Sequence, residues 1–279
     1  MIRHRFEYRV PREIDEALQI LARAGDDCAV LGGGTWLIPN MTFAAHQPKV
    51  VLDPKHLDLA SISELDGEVL VGARATYVDA MRSPIVSTHV PLLVSMASGI
   101  TGGISITGQG TLGGSACYGN PSSDVPACLV ALRARLRLRS TIGTRDVEAA
   151  DFFQGKFATA RRSDEMLVGI VFPKMNPGVR WGYYKLKFST GSWPIVTAAA
   201  IAEGGRARVA LGAATAVPIL SEAELPTNAR DGELREFARS CASVSADEEV
   251  ADELAGPGYR RRVAHSIVLR ALKQCGAPR

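Results

Sequence analysis

The sequence predicts an α+β protein in two parts that differ in the order of their elements. Up to about residue 173, short apolar strand patterns alternate with helical ones. Beyond about residue 177, three strand patterns follow one another directly, and two helical patterns come after them. We therefore expect a boundary near residues 174–179, followed by a small three-stranded antiparallel sheet with helices.

The first part begins with a strand pattern at 5–10 and a helical pattern at about 11–24, where Pro11 lies at a position that a helix tolerates. Short strands are expected at 29–31, 49–53 and 68–72, with helical patterns from Thr76 and at 91–98. A glycine-rich stretch at 99–119 precedes a helix at about 124–132. Strands at 133–139 and 166–172 complete this part, and in the former Leu136 and Leu138 face one side and the arginines the other.

The second part reads as strands at 181–188, 195–203 and 207–213, with the Gly204-Gly205 pair forming a hairpin turn. Helices are expected at about 232–241 and 258–274. Arg260, Arg261 and Arg262 fall within the last helical pattern, which favours a solvated helix face over a nucleic-acid site.

The composition excludes several classes of protein. With 279 residues, 46% of them hydrophobic and 22% charged, the chain resembles an ordinary folded protein, and its net charge of +3 is too small to indicate a nucleic-acid partner. No apolar run approaches the roughly 18 residues of a membrane span, and residues 1–10 lack the apolar core of a signal peptide. We therefore expect a cytoplasmic protein without a membrane span. The five cysteines form no CxxC pair, which predicts no iron–sulfur or zinc site in this chain.

The first glycine run consists of Gly32, Gly33 and Gly34, followed by Thr35. Consecutive glycines cost backbone entropy, so a folded chain keeps them where the backbone bends sharply or approaches something closely. Successive N–H groups in such a loop can converge on a phosphate. A flexible turn is the alternative, and this run alone does not decide between the two.

The glycine-rich stretch at 99–119 contains a second run, Gly108 to Ser115, whose first part, Gly108 to Gly113, formally matches the GxGxxG dinucleotide fingerprint. That fingerprint needs a strand before it and a helix that opens inside it, whereas Gly114, Gly119 and Pro121 argue against a helix directly afterwards. We therefore reject the match as a Rossmann site. No P-loop lysine and no GxSxG element appear, and the histidines are scattered, so we predict neither a catalytic residue nor a metal site.

Five motifs together resemble the flavoprotein subunits of the molybdenum hydroxylase family, which includes carbon monoxide dehydrogenase and xanthine dehydrogenase. LGGGTWLIP at 31–39 resembles the family element AGGTxLLP, TLGG at 111–114 resembles TIGG, and NPSSDVP at 120–126 resembles a segment with an FAD-contacting aspartate. DEMLV at 164–168, and YK at 184–185 with WPIV at 193–196, resemble two later motifs. They occur in the order and spacing of the family, and the resemblance covers essentially the whole chain.

The resemblance implies a two-subdomain FAD-binding module of the PCMH type at 1–176, with subdomains at about 1–55 and 56–176, and a C-terminal flavoprotein domain at 177–279. It also implies a set of FAD contacts: Leu31, Gly32, Gly33, Gly34, Thr35, Trp36, Thr101, Gly102, Thr111, Gly113, Gly114, Ser115, Asp124, Leu167 and Lys185.

Particular roles follow from the same resemblance. The two glycine runs would hold the diphosphate by main-chain amides and hydroxyls, and Asp124 would accept hydrogen bonds from the ribose or adenine side. Leu167 would pack against the adenine or flavin, and Lys185 would place a cation near the flavin. The loop at 186–194, which contains Trp193, would lie near the flavin and control the access of an acceptor.

The residues alone leave other interpretations open. Asp124 is equally suited to cap a helix that starts near Val125. Leu167 is otherwise a plain core residue, and Lys185 an outward residue on a strand edge. The sequence also departs from the family: Thr107 and Gly108 stand where many members have arginine and asparagine, and Ser115 stands where asparagine is usual.

The resemblance implies an electron-transfer subunit that binds FAD. Its partners would be a large subunit with a molybdenum cofactor and a small subunit with two [2Fe–2S] clusters, in a heterotrimer or its dimer. Two other hypotheses remain at this point: a stand-alone flavin oxidoreductase and a non-catalytic assembly subunit.

Overall fold

The computed structural model of the protein describes residues 1–226 and 228–276. The strands within these ranges are β1 Glu7–Arg9, β2 Cys28–Val30, β3 Val50–Leu52, β4 Ile62–Leu65, β5 Glu68–Gly72, β6 Arg135–Ser140, β7 Gly143–Glu148, β8 Phe153–Gly155, β9 Ala158–Thr159, β10 Met166–Pro173, β11 Arg180–Lys187, β12 Pro194–Glu203, β13 Arg206–Gly212 and β14 Ile219–Glu224.

The helices range from single turns to a helix of 18 residues. They are α1 Ile14–Ala24, α2 Leu37–Thr42, α3 Tyr77–Arg82, α4 Pro84–His89, α5 Pro91–Ser98, α6 Ile104–Thr107, α7 Leu112–Tyr118, α8 Asp124–Ala131, α9 Ala149–Phe152, α10 Asp231–Cys241 and α11 Tyr259–Gly276. Among the described residues, no helix combines the length and apolar character needed to cross a bilayer.

A small parallel sheet in the order β1-β3-β2 begins the fold. Parallel strands end at the same edge of their sheet, and the N–H of Leu31, just after β2, donates to Leu52 O of β3 at 2.8 Å. Helix α1 covers this sheet because Ala17, Leu18 and Leu21 form one buried face. The first glycine run therefore leaves the sheet at its carboxyl edge.

A five-stranded antiparallel sheet in the order β4-β5-β10-β6-β7 lies beside the largest core. Leu136 and Leu138 of β6 are fully buried, whereas Arg135, Arg137 and Arg139, which alternate with them, are only partly buried, which confirms the predicted alternation. Leu138 pairs with Leu167 of β10, and the pairing register shifts between Leu167 and Gly169.

The last sheet has four strands, in the order β11-β12-β13-β14, so the prediction of three strands is wrong. The sequence signal of β14 is weak because Ile219–Glu224 follows Pro218 and has no clean alternation: Leu220 is exposed, while Ser221 lies on the less exposed face. The predicted hairpin turn is confirmed: Glu203 pairs with Arg206 across Gly204 and Gly205, both with positive φ.

The two faces of this last sheet pack against different helices. On one face, Tyr183 and Ile201 share the largest core with α8, and Gly212 approaches Ala127 closely. On the other face, α11 packs so closely that a Cβ on Gly182 would lie 2.8 Å from Cβ of Gln274. The division of the chain at 176/177 stays a prediction.

The arginines of α11 do not all face the solvent, contrary to the sequence prediction. Arg261 and Arg262 are exposed, but Arg260 is fully buried. Its guanidinium lies 2.6 Å from Asp252 and donates to the carbonyl oxygens of Ile195 and Ala213. A buried arginine is tolerated because a carboxylate and two carbonyls surround its charge.

Candidate functional site

The first glycine run forms an open loop of backbone donors between β2 and α2. Within residues 1–226 and 228–276, the N–H groups of Gly32, Gly33, Gly34 and Thr35 donate to no protein acceptor. Gly34 has φ +71°, a left-handed conformation that suits glycine. Unpaired successive N–H groups of this kind are a typical binding arrangement for an anion.

The second glycine run opens helix α7, contrary to the expectation that its glycines prevent a helix there. Thr111 caps the helix, since its hydroxyl accepts from the Gly114 N–H at 3.0 Å. The N–H groups of Leu112 and Gly113 donate to the carbonyls of Ala75 and Ala73, so the tertiary structure supports this glycine-rich turn. The segment before it is helix α6 rather than a strand, which agrees with rejecting a Rossmann site.

The two glycine runs pack directly against each other. A Cβ on Gly33 would lie 2.5 Å from the carbonyl carbon of Gln109 and closer still to its oxygen. A Cβ on Gly32 would lie 2.9 Å from the Thr111 hydroxyl oxygen. These positions need glycine because one backbone crosses the other, and they place the donors of the first run beside the capped end of α7.

The donors of the second run are largely used inside the protein. The N–H groups of Leu112, Gly113, Gly114 and Ser115 all have intramolecular acceptors. An anion beside this run would therefore meet the amides of 32–35 and the hydroxyl of Thr111, rather than the amides of 112–115 that the resemblance suggested.

A third loop, at 101–103, also presents unpaired donors. Among the residues that the structure describes, none accepts from the N–H of Thr101, Gly102 or Gly103, and both glycines have positive φ. The Thr101 hydroxyl donates to Ser192 O at 3.2 Å, which fastens this loop to the one that carries Trp193. Trp193 is about half exposed, at 49%.

Asp124 and Lys185 form a buried ion pair, which the sequence analysis did not foresee. Lys185 Nζ lies 2.7 Å from Asp124 Oδ1, with the two side chains 10% and 2% exposed. Asp124 is the first residue of α8 and Ser123 is its N-cap, so the capping interpretation of Asp124 is wrong. The interpretation of Lys185 as an outward residue is also wrong.

Tyr183 completes this group by donating its hydroxyl to the same Oδ1 of Asp124. Burial raises the pKa of the Asp124 carboxyl, and the Lys185 ammonium and Tyr183 hydroxyl only partly oppose it. Burial also raises the pKa of Tyr183 well above its ordinary value, and the adjacent carboxylate adds to this. The Tyr183 hydroxyl is therefore a stable donor to Asp124.

Two of the three residues that depart from the family pattern, Ser115 and Thr107, have local side-chain partners. Ser115 Oγ lies 2.5 Å from the hydroxyl oxygen of Tyr77, and Tyr77 is only 3% exposed. Thr107 is 7% exposed and its hydroxyl donates to Gly103 O at 3.0 Å, so it braces the 101–103 loop. Both side chains form structural hydrogen bonds within the candidate site.

The remaining predicted residues lie around the glycine runs. The Trp36 ring lies against the ring of Tyr118, at the end of α7, with centroids 4.7 Å apart and planes tilted by 41°, and it is partly exposed. Leu167 is 6% exposed on β10, and the next residue, Val168, accepts from the N–H of Ala73 behind Gly113. No hydrogen bond in the described ranges joins the glycine runs to the Asp124–Lys185 pair.

Sequence reasoning missed Tyr183 and Tyr77. Tyr183 lies two residues before Lys185 on a predicted strand, so its side chain had to share the face of Lys185. That alternation was a usable signal. Tyr77 had no comparable signal, because its partner Ser115 is 38 residues further along the chain.

Comparison with known proteins gives one matching family model and full-length relatives. The model described as the FAD binding domain in molybdopterin dehydrogenase matches residues 4–175. The carbon monoxide dehydrogenase medium chain of Hydrogenophaga pseudoflava is 31% identical, over 99% of both chains. The nicotine 6-hydroxylase medium subunit of Paenarthrobacter nicotinovorans is 26% identical, over 97% of both.

Solved structures show the same fold. Carbon monoxide dehydrogenase from Hydrogenophaga pseudoflava, in a form that lacks the Mo-pyranopterin moiety of the molybdenum cofactor, superimposes with a TM-score of 0.92 at 31% identity, covering 99% of this chain and 98% of that one. Quinoline 2-oxidoreductase from Pseudomonas putida 86 gives a TM-score of 0.87 at 27% identity, covering 97% and 96%.

Proposed function

Because the chain belongs to the family of FAD-binding medium subunits of molybdopterin dehydrogenases, we propose that it is the electron-transfer subunit of a heteromeric molybdenum-containing hydroxylase or dehydrogenase. The family membership confirms the resemblance of the five motifs and makes the chain part of an oxidoreductase. A large subunit would carry the molybdenum cofactor and a small subunit two [2Fe–2S] clusters. The chain would take electrons from those clusters and pass them to an external acceptor, in the cytoplasm.

The packing of the two glycine runs is the observation that carries this proposal. It sets the unpaired N–H groups of 32–35 beside the Thr111 hydroxyl, and such a cluster of donors fits the diphosphate of a dinucleotide. These residues, with Leu31 and Trp36 at the ends of the first run, would hold the diphosphate side of FAD. Gly113, Gly114 and Ser115 would shape the opposite wall.

The remaining contacts would surround the rest of the cofactor. Bound FAD supplies the capacity to accept and release electrons singly or in pairs. Thr101 and Gly102 would offer loop donors, and Leu167 an apolar wall that excludes water. Lys185, fixed by Asp124, would set the charge near the flavin, where a buried charge acts more strongly than in water.

The first test is the flavin content of the purified chain. We expect a yellow protein that releases close to one FAD per chain on denaturation, identified by chromatography of the released cofactor. A colourless chain that does not take up FAD on reconstitution would contradict the proposal and favour the assembly-subunit hypothesis.

A sharper test is Gly33→Ala, which we expect to lower FAD content several-fold. Its Cβ would overlap the Gln109 backbone, so the loops must separate and the donor cluster spreads. Gly232→Ala is the matched control, because its added Cβ meets nothing within 4 Å at an exposed position of α10. Equal FAD content in the two variants would contradict the assignment of the glycine runs.

The electron-transfer role requires the complex. Co-expressed with its partner subunits, the chain should be reduced by substrate of the large subunit, whereas the FAD-loaded chain alone should not be. Substrate turnover by the chain alone would favour the stand-alone oxidoreductase.

A further inference from the structure

Three side chains from two distant segments meet at one oxygen atom. Asp124 Oδ1, at the start of α8, accepts from the Tyr183 hydroxyl and from Lys185 Nζ. The Lys185 side chain passes Gly99, where a Cβ would lie 3.6 Å from its Cε and 3.8 Å from its Nζ. The ammonium is therefore confined between Asp124 and the backbone that leads to the 101–103 loop.

The alternation of side chains along β11 places Tyr183 and Lys185 on one face of the sheet and Tyr184 on the other. Tyr183 and Lys185 lie two residues apart, so both point to the face packed on α8. Tyr184, between them, points to the opposite face, where its hydroxyl accepts from Arg270 of α11. One strand thus carries two adjacent tyrosines whose hydroxyls serve different partners.

We propose that Tyr183 is a positioning residue for the flavin site: its hydroxyl holds the Asp124 carboxylate, which in turn holds the Lys185 ammonium in place. This inference rests on the proposed function, because it concerns the charge that Lys185 presents toward a bound flavin. Neither hydroxyl nor carboxylate needs to touch the cofactor for this effect.

The charge of the group depends on pH through Asp124. Above the pKa of Asp124 the carboxylate compensates Lys185, and below it the ammonium is uncompensated and favours the addition of electrons to a nearby flavin. Among the residues that the structure describes, the other ionisable groups that interact with Asp124 are Lys187 on β11, Cys128 on α8 and Tyr77 on α3. Burial raises the pKa of Cys128 and of Tyr77, so both stay neutral through the neutral range.

The midpoint potential of the FAD-loaded chain, measured against pH, tests the proposal. We expect the midpoint potential to fall more steeply, as the pH rises through the Asp124 pKa, than it does on either side of that pKa. This extra fall reflects the ionisation of Asp124. Tyr183→Phe removes a hydrogen bond to the carboxylate, so this fall should move up by about one pH unit or more. Tyr184→Phe, which removes a hydroxyl on the other face of the same strand, should leave it in place.

The Asp124→Asn variant is an independent test of the proposal, and it remains informative if Tyr183→Phe does not fold. It removes the titrating group, so the extra fall should disappear, and Tyr183→Phe in this background should change nothing further. Persistence of the fall in Asp124→Asn, or an unchanged pH profile in folded Tyr183→Phe, would overturn the inference. Because every variant is measured with FAD bound, such a result would leave the proposed function standing, whereas failure of the wild-type chain to bind FAD would reject that function itself.

Discussion

Glu165, just before β10, is a charged residue in an almost fully buried position, with 1% of its surface exposed. Arg145 donates to its two carboxylate oxygens at 2.6 and 2.9 Å, and the Arg162 N–H donates at 2.8 Å. Burial acts to raise the pKa of Glu165, but these donors outweigh it, and the pKa lies below its ordinary value. The carboxylate therefore stabilises the fold above that ordinary value, and the stabilisation is lost as the pH falls through the lowered pKa.

We expect Glu165→Gln to lower the unfolding free energy at pH 7 by about 1–3 kcal/mol, because the buried Glu165 carboxylate loses its charge-assisted hydrogen bonds to Arg145, whose side chain is 39% exposed. The variant should also lose less stability than wild type between about pH 5 and pH 3. Thermal unfolding across this range measures both effects. Glu7→Gln, in an exposed pair with Arg9, should change little, and an equal loss in both variants would refute the assignment.

At the level of single residues, the sequence predicts those roles that depend on neighbouring residues in the chain. The run of glycines at 32–34 is visible in the sequence, whereas the close approach of the Gln109 backbone, which requires glycine at Gly33, is not. The roles of Asp124 and Lys185 were inferred separately, and their pairing across 61 residues was missed because side-chain distance does not follow from either motif. The FAD contacts themselves remain predictions.

Among the elements, α11 is held on the last sheet by its apolar face and also by the buried guanidinium of Arg260. Arg260 bonds to the carbonyls of Ile195, near the start of β12, and Ala213, just after β13. Ile195 also lies close in sequence to the loop that carries Trp193. The first turn of the helix thus fixes two strand ends of the last sheet.

We expect Arg260→Met to lower the unfolding free energy by about 1–3 kcal/mol, since it leaves the carbonyls of Ile195 and Ala213 without their buried donor, whereas Asp252 is exposed to water. Arg262→Met, two residues away on the exposed face, should change it by less than about 0.5 kcal/mol. Urea or thermal unfolding of both variants is the measurement. A small loss in Arg260→Met would show that packing alone holds the helix.

Elements with a continuous apolar pattern were predictable, including the five-residue strand β5 and the three-residue strands β2 and β3, whereas α7 and β14 were not. Helix α5 has the predicted bounds, and β12 is within one residue of them, because their apolar patterns are continuous. Helix α7 was missed because glycine lowers helix propensity, whereas its cap and the carbonyls of Ala73 and Ala75 supply the missing stability. Strand β14 owes its place to pairing with β13 rather than to its own pattern.

Across the whole molecule, the predicted boundary at 176/177 divides the sequence but not the largest core. Tyr183, Ala199, Ile201 and Ala210 of the last sheet are buried in the same cluster as the residues of α8. Removing that sheet would expose a broad apolar face and would leave Asp124 without Tyr183 and Lys185.

We therefore expect a fragment of residues 1–176 to bind a hydrophobic dye strongly and to melt without a sharp transition. The full chain, measured in parallel, should bind little dye and melt cooperatively. Calorimetry and dye fluorescence provide the comparison. A fragment that melts as sharply as the full chain would show that residues 1–176 form an autonomous domain.

The distance in sequence between Asp124 and Lys185 also has a consequence during translation. At about 5–20 residues per second, a ribosome needs roughly 3 to 12 seconds to make the 61 residues that separate them. Both glycine runs precede Asp124 in the sequence, so they are already part of the nascent chain during that interval. The glycine runs, which form the main-chain part of the pocket, are thus synthesised first. Lys185 is synthesised last, together with Tyr183 on β11.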